Sequence, residues 1–256
     1  MQAVKEMAKT VRNLAHRHSQ HNVFSDFVEM SAIALSNAVD WNQREKREAR
    51  YMEIVGKYKK EEVDQFPKLM GQLVEGLEAG PDDILGNLFH ELELHNTYKG
   101  QFFTPYHLCR MMAKMTVGEG EQGIIAERGF ITAQEPACGA GAMVIALAEE
   151  LKSQDINYQQ QLHVTAIDLD IRCVHMAYVQ FSLLHIPAVV VHGNSLSLEE
   201  FSHWYTPAHI LGLWDYKLKN KNKEFNQDAK ESLPEHPVKL VDDIQPITTT
   251  LQLTLF

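Results

Sequence analysis

Between residues 130 and 195 the chain alternates short apolar runs with helix-length segments, and this order limits the possible folds more than anything else in the sequence. The runs FITAQEP (130–136), LHVTAIDL (162–169) and AVVVHGNS (188–195) are rich in apolar and β-branched residues. Each has strand length, and the stretches between them repeat their apolar residues at helical spacing. A β-α-β-α-β series needs crossover connections, so the expected fold class is α/β with a parallel sheet wound in one direction.

The first 97 residues carry a different period and form a helical N-terminal region. Phe24, Phe27, Val28, Ser31, Ile33, Leu35 and Val39, then Leu69, Leu73, Val74 and Leu77, recur at three and four places. Gly80-Pro81 should stop one helix, and Asp82 or Asp83 can cap the next, which runs through Ile84, Leu85, Leu88, Phe89 and Leu92. A second domain is expected over 98–218. From 219 to 256 the chain is polar and spaced by Pro234, Pro237 and Pro246, the composition of a flexible tail.

Composition narrows the partners. A net charge of −10 argues against binding nucleic acid by broad phosphate neutralisation, so any such contact must be local or assisted. Two basic runs exist, Arg44 to Arg50 and Lys217 to Lys223; the first, broken by Glu45 and Glu48, reads as a solvated helix face. Cys109, Cys138 and Cys173 have no CxxC spacing, which fits reduced thiols rather than a disulfide framework or zinc site. No apolar run approaches the ~20 residues of a bilayer span and no signal-peptide core opens the chain, so a cytoplasmic, membrane-free protein is expected. His16, His18 and His21 lack an acidic or Cys partner at ligand spacing, so they read as surface residues and no metal is expected.

Glu135-Pro136-Ala137-Cys138-Gly139-Ala140-Gly141-Ala142 lies directly after one strand and before a helix. Small residues suit a sharp turn lying against a ligand at the carboxyl edge of a sheet, although such turns also use glycine for sterics alone. The second strand ends in Asp168, where a carboxylate can accept from both hydroxyls of a ribose; Asp168 and Asp170 are equally placed to cap the following helix.

Here the residues carry a family resemblance. EPACGAGA resembles the DPACGSG-type motif of adenine-amino DNA methyltransferases. Gly100-Gln101-Phe102-Phe103-Thr104-Pro105 resembles the GQFFTP signature of the modification subunits of type I restriction systems, as does the helix from Asp83 to Leu92 before it. Gly193-Asn194-Ser195-Leu196 stands where that family has a GD-S/T-L turn. The resemblance implies a Rossmann-like class I methyltransferase fold with S-adenosylmethionine as cofactor. It also implies roles: Phe103, Thr104 and Pro105 on the methionine part, Glu135 facing the ammonium, Pro136, Ala137, Cys138, Gly139 and Gly141 forming the turn, Asp168 on the ribose and Asn194 near the adenine ring.

The family grips its flipped adenine with an (Asn/Asp)-Pro-Pro-(Tyr/Phe) loop after the fourth strand, and no such tetrapeptide occurs in this chain. The nearest stand-in is Thr206-Pro207-Ala208-His209, so Thr206, Pro207 and His209 are the candidate catalytic residues. No fourth strand is evident, residues 202–214 read as aromatic-rich irregular structure or short helix, and a truncated sheet is expected. Trp204, Tyr205 and Trp214 could stack on a base or belong to the core. Two readings stand: an adenine-specific DNA methyltransferase, or a catalytically degenerate member acting as an adaptor that binds DNA, cofactor or another protein.

The tail ends in Gln252-Leu253-Thr254-Leu255-Phe256. It resembles the QLxLF peptide that docks bacterial proteins on the replication sliding clamp, which implies Gln252, Leu253, Leu255 and Phe256 as partner-binding residues. Tethering through a linker spanning on the order of 30 Å would hold the protein near DNA at roughly millimolar effective concentration. The alternative is a terminal strand added to the protein's own sheet, for which the pattern from Ile247 to Leu255 is suited.

Overall fold

The computed structural model describes residues 2–94, 103–118, 120–220 and 253–254. Six helices come first: α1 (Gln2–Leu14), α2 (Gln20–Asn37), α3 (Arg44–Val55), α4 (Lys60–Val63), α5 (Gln65–Glu78) and α6 (Ile84–Glu91). Their buried residues follow the helical period; α1 buries Val4, Met7, Ala8, Val11 and Leu14 along one stripe, and α5 answers with Phe66, Leu69, Leu73 and Leu77. Ser19 caps α2 by accepting from the N–H of Asn22. At α6 the choice left open falls on Asp83, whose Oδ1 accepts from Gly86 N at 2.9 Å, while Asp82 accepts from the N–H of Asp83 itself.

Two further helices, α7 (Tyr106–Thr116) and α8 (Gly120–Arg128), lead into the sheet. The series then reads β1 (Ile131–Glu135), α9 (Ala142–Ser153), α10 (Tyr158–Gln161), β2 (Leu162–Asp168), α11 (Ile171–Leu183) and β3 (Ala188–Asn194). β1 pairs parallel with β2, and β2 with β3. The alternating series expected from the apolar runs is present, with strand bounds within a residue or two.

Beyond β3 the chain departs from expectation. Residues 199–205 form a strand, β4 (Glu199–Tyr205), that folds back antiparallel on β3, and a short helix, α12 (Pro207–Leu211), ends it. Gly193 makes the return possible, because a Cβ there would stand 2.6 Å from the carbonyl oxygen of Glu199. The aromatic residues of 202–205 do not announce this antiparallel return. On the other side of the sheet, β5 (Leu253–Thr254) pairs parallel with Ala133 and Gln134 of β1, giving the order β4-β3-β2-β1-β5. That is the own-sheet placement of the terminal peptide; Gln252, Leu255 and Phe256 lie outside the described residues.

The helical region and the sheet share one apolar core. α11 lies between them, packed on β2 and β3 and against α2 and α6, while α7 packs on α9 through the small residues Cys109, Ala113, Ala142 and Ala146. The basic run on α3 is not simply a solvated face. Arg47 is buried, pairs with Asp40 at 2.8 Å, donates to the carbonyl of His203 and lies over the Trp204 ring at 4.0 Å; Arg50 pairs with Glu29 and Glu53. Trp204 and Trp214 belong to the interior rather than to an open stacking platform. Among the described residues no helix is long and apolar enough to cross a membrane.

Candidate functional site

The carboxyl ends of β1 and β2 meet at the turn 136–141. Gly139 and Gly141 both adopt left-handed backbone, at φ +53° and +98°. Three bonds hold the turn: Cys138 N–H donates to Ile167 O at 2.9 Å, Gly141 N–H to Cys138 O at 2.8 Å, and Gly139 N–H to Asp168 Oδ2 at 2.8 Å. The glycines also serve the protein's own packing. A Cβ on Gly141 would come within 2.5 Å of the Phe181 ring, and one on Gly139 within 3.0 Å of Phe103. Close approach to a ligand is therefore not the whole reason for small residues here, because α11 and Phe103 press on the turn from the protein side.

Phe103 belongs to the segment Phe103-Thr104-Pro105 that precedes α7; Gly100, Gln101 and Phe102 of the same signature lie outside the described residues. Its ring packs on Phe89 of α6 at 5.1 Å and on His90 at 5.5 Å. Two motifs some 35 residues apart in the chain are thus brought into contact at one turn. Tyr106, the next residue but two, donates to Pro81 O at 3.2 Å and to Glu149 at 3.0 Å, which ties the start of α7 to the approach to α6 and to α9.

Two carboxylates flank the turn. Glu135 is 4% exposed and accepts from the N–H of Ala137 at 3.1 Å; burial pushes its pKa up to about 7, with the charge of Asp168 adding to the shift. Burial also raises Asp168, against the pull of the N–H groups of Asp170 and Gly139 that it accepts. The division of labour between the two aspartates is now clear. Asp170 caps α11 by accepting from Arg172 N, while Asp168 reaches back to the turn. Among the described residues neither Glu135 nor Asp168 has a basic side chain in ion-pair range, so backbone N–H groups offset the cost of their burial. The Cys138 thiol beside them is buried and pushed well above its ordinary pKa by that burial, which leaves it unreactive.

Asn194 ends β3 at the same edge of the sheet, but its Oδ1 accepts from the N–H groups of Leu196 and Ser197 and so shapes the hairpin to β4. The Thr206 to His209 segment, in contrast, is at the opposite edge. Thr206 Oγ1 accepts from Ala188 N and donates to Ile186 O, both at 2.9 Å, where β3 begins. His209 Nδ1 meets His163 Nε2 at 2.9 Å, next to the first residue of β2. Six steps of β3 at ~3.3 Å place about 20 Å between this corner and the carboxyl edge. Thr206, Pro207 and His209 are therefore not beside the turn, and the expected base-gripping position for them is corrected. The cause is the antiparallel return of β4, which carries the succeeding residues back to the wrong end.

Sequence reasoning missed Gln180. It is fully buried on α11 and touches both the cap of α6 and the turn. The available signal was an amide within an otherwise apolar helix. His16 and His21 are exposed and His18 stacks on Tyr58 at 4.4 Å; no group of metal-ligating side chains occurs among the described residues.

Comparison with known proteins is sparse. The family described as N-6 DNA methylase matches residues 82–239. No curated protein matches the chain. Among solved structures, the chain is similar to a protein of Listeria monocytogenes described as a class I S-adenosylmethionine-dependent methyltransferase, at 14% identity and a TM-score of 0.37, over 76% of this chain and 54% of that one. This chain thus spans about half the length of that neighbour, and the family match is what carries weight.

Proposed function

Because the chain belongs to the N-6 DNA methylase family, we propose that the turn 136–141 and its two carboxylates hold S-adenosylmethionine as the donor half of an adenine-amino DNA methyltransferase. The observation that carries this is the pair of buried Glu135 and half-buried Asp168, without basic partners among the described residues, on either side of a left-handed glycine turn. The cofactor has the complementary chemistry. Glu135 would pair with its ammonium, Asp168 would accept from its ribose hydroxyls, and Phe103, Thr104 and Pro105 would hold its methionine part. When bound, it supplies a methyl group on a sulfonium, which is a good leaving group and needs no metal.

The acceptor side is the weak part. The adenine-gripping tetrapeptide is not in the sequence, and its nearest stand-in is about 20 Å away along β3. The chain by itself therefore acts as a cofactor-holding module on DNA, the degenerate or adaptor reading, and not as a complete adenine methyltransferase of a restriction-modification system. Isothermal titration should give one S-adenosylmethionine per chain, and tritiated-methyl assays with DNA should give no transfer. Transfer by the chain alone would overturn the donor-half reading in favour of a complete enzyme. Absence of binding would sink both.

With a net charge of −10, DNA is reached with help. We place that help in Gln252, Leu253, Leu255 and Phe256, the residues of the clamp-docking resemblance, acting in the cytoplasm. Leu253 and Thr254 also have a place beside β1, so docking on a clamp and pairing in the sheet exclude one another. Deleting 252–256 should abolish pull-down of the bacterial sliding clamp; unchanged pull-down removes the clamp from the proposal.

A further inference from the structure

The cofactor turn is not held by its own three bonds alone. Gln180 of α11 is fully buried and its amide is completely used. Nε2 donates to Asp83 Oδ1 at 2.9 Å and to Ala140 O at 2.8 Å, and Oε1 accepts from Leu85 N at 3.0 Å. The orientation of that amide follows from its partners: a backbone N–H can only donate and a carbonyl oxygen only accept, so the nitrogen faces Ala140 and the oxygen faces Leu85. Asp83 Oδ1 accepts a second time, from Gly86 N at 2.9 Å, and a Cβ on Gly86 would stand 2.0 Å from the Asp83 carboxylate, so only glycine lets the cap close. Burial drives the Asp83 pKa up to about 6, so its carboxylate sits in an unfavourable place unless it is well hydrogen-bonded.

The connection continues through α6. Its Phe89 ring packs on Phe103, and Phe103 presses on Gly139. Helix α6 is thus linked to the cofactor turn twice, by the Gln180 amide between its cap and Ala140 and by the rings of Phe89 and Phe103 at Gly139. We propose that Gln180 and Asp83 are positioning residues for the cofactor turn: Asp83 holds the Gln180 amide, which grips the Ala140 carbonyl so that Gly139 and Gly141 keep the left-handed form that presents Glu135 and Asp168 to the methyl donor. No other side chain of that length offers two donors and an acceptor in one plane. Asparagine is a methylene short, and glutamate has no donors.

The proposal rests on the cofactor reading above, and one of its tests does not need cofactor at all. In Gln180→Met the volume is kept, but Asp83 Oδ1, Ala140 O and Leu85 N each lose a partner. Hydrogen exchange on the ligand-free protein should show the Gly139 and Gly141 amides exchanging at least tenfold faster, with the β2 amides unchanged. The S-adenosylmethionine dissociation constant should rise by about tenfold or more. Asp83→Asn keeps an oxygen for both donors and should stay within about threefold of the unaltered protein in both readouts. Leu73→Ala, a core lesion in α5, should lower the melting temperature without moving either. The proposal is overturned if Gln180→Met leaves turn exchange unchanged, or if exchange rises equally along β2, or if Leu73→Ala weakens cofactor binding as much. If Gln180→Met fails to fold, Gln180→Asn takes its place, with an intermediate effect expected at the same two amides and no effect counting against the proposal. Unaltered protein that binds no S-adenosylmethionine sinks the preceding cofactor reading, while turn exchange still decides whether Gln180 holds the turn.

Discussion

The two edges of the sheet differ in how their polar groups are satisfied. At the carboxyl edge, Glu135 is buried and accepts the N–H of Ala137, Asp168 is half-buried and accepts those of Gly139 and Asp170, and neither has a basic partner among the described residues. At the opposite edge, Thr206 exchanges hydrogen bonds with both sides of the start of β3, and His163 and His209 face one another at 2.9 Å. Burial lowers the pKa of His163 to about 3 and that of His209 in the same direction, so this pair is neutral. His209 Nε2 points to Asp215 at 3.4 Å, within ion-pair range but without a hydrogen bond. Thr206 and the facing His163 and His209 rings pair mostly within the protein, whereas Glu135 and Asp168 are the groups to which the proposal above assigns the cofactor. Residue type does not separate the two edges, since Thr, Pro and His are as respectable in a catalytic loop as Glu and Asp.

The largest effect expected at either edge comes from Asp168→Ala. It removes an acceptor of Gly139 N–H and the proposed partner of the ribose, and charge-assisted hydrogen bonds are worth about 1.5–3 kcal/mol each. Titration calorimetry should show cofactor affinity falling by about 100-fold, while unchanged affinity would mean that the pocket has been misplaced. Thr206→Val should do the reverse. It strands a buried N–H and a buried carbonyl, at about 1–3 kcal/mol of unfolding free energy by denaturant titration, and cofactor affinity should stay within twofold.

A change of pH separates the two edges further. On the proposed pairing with the cofactor's ammonium, binding needs Glu135 ionised, and burial pushes its pKa up to about 7, so affinity should fall by about tenfold from pH 8 to pH 6. Glu135→Gln should flatten that profile; a persistent slope would assign the titration elsewhere. Stability has its own sign. A carboxyl group whose pKa is raised on folding binds its proton more tightly in the native state, so stability falls as pH rises from about 4.5 to about 7 and then levels. Glu135→Gln should therefore be more stable than the unaltered protein at pH 8 and equal to it near pH 4.5. The smallest effect belongs to Asn194→Ala. Loss of its two turn bonds should cost about 0.5–1.5 kcal/mol of stability with a less than threefold change in cofactor binding, and a larger binding loss would restore a ligand role to that side chain.

The local parts of this fold were legible in the sequence because they depend on near neighbours. The apolar stripes of α1 and α5, the stop at Gly80-Pro81, the alternating series from β1 to β3 and the glycine turn each follow from period, propensity and steric freedom within a few residues. Asp168 and the glycines of the turn were legible in the same local way, whereas Phe103 and Glu135 were marked only by the family resemblance. The direction of β4 was not legible, because a strand's partner and polarity are set by contacts across the sheet, and with it went the position of Thr206 and His209.

The choice of Asp83 over Asp82 and the release of Asp168 from capping by Asp170 were likewise equal on sequence and unequal in space. By itself the sequence determined that the chain would build a parallel α/β core with a small-residue turn at its carboxyl edge, since hydrophobic period and glycine sterics are local. Only the tertiary structure decided which groups that turn would face, because Gln180 and Phe181 reach it, and Asp83 through Gln180, from distant parts of the chain.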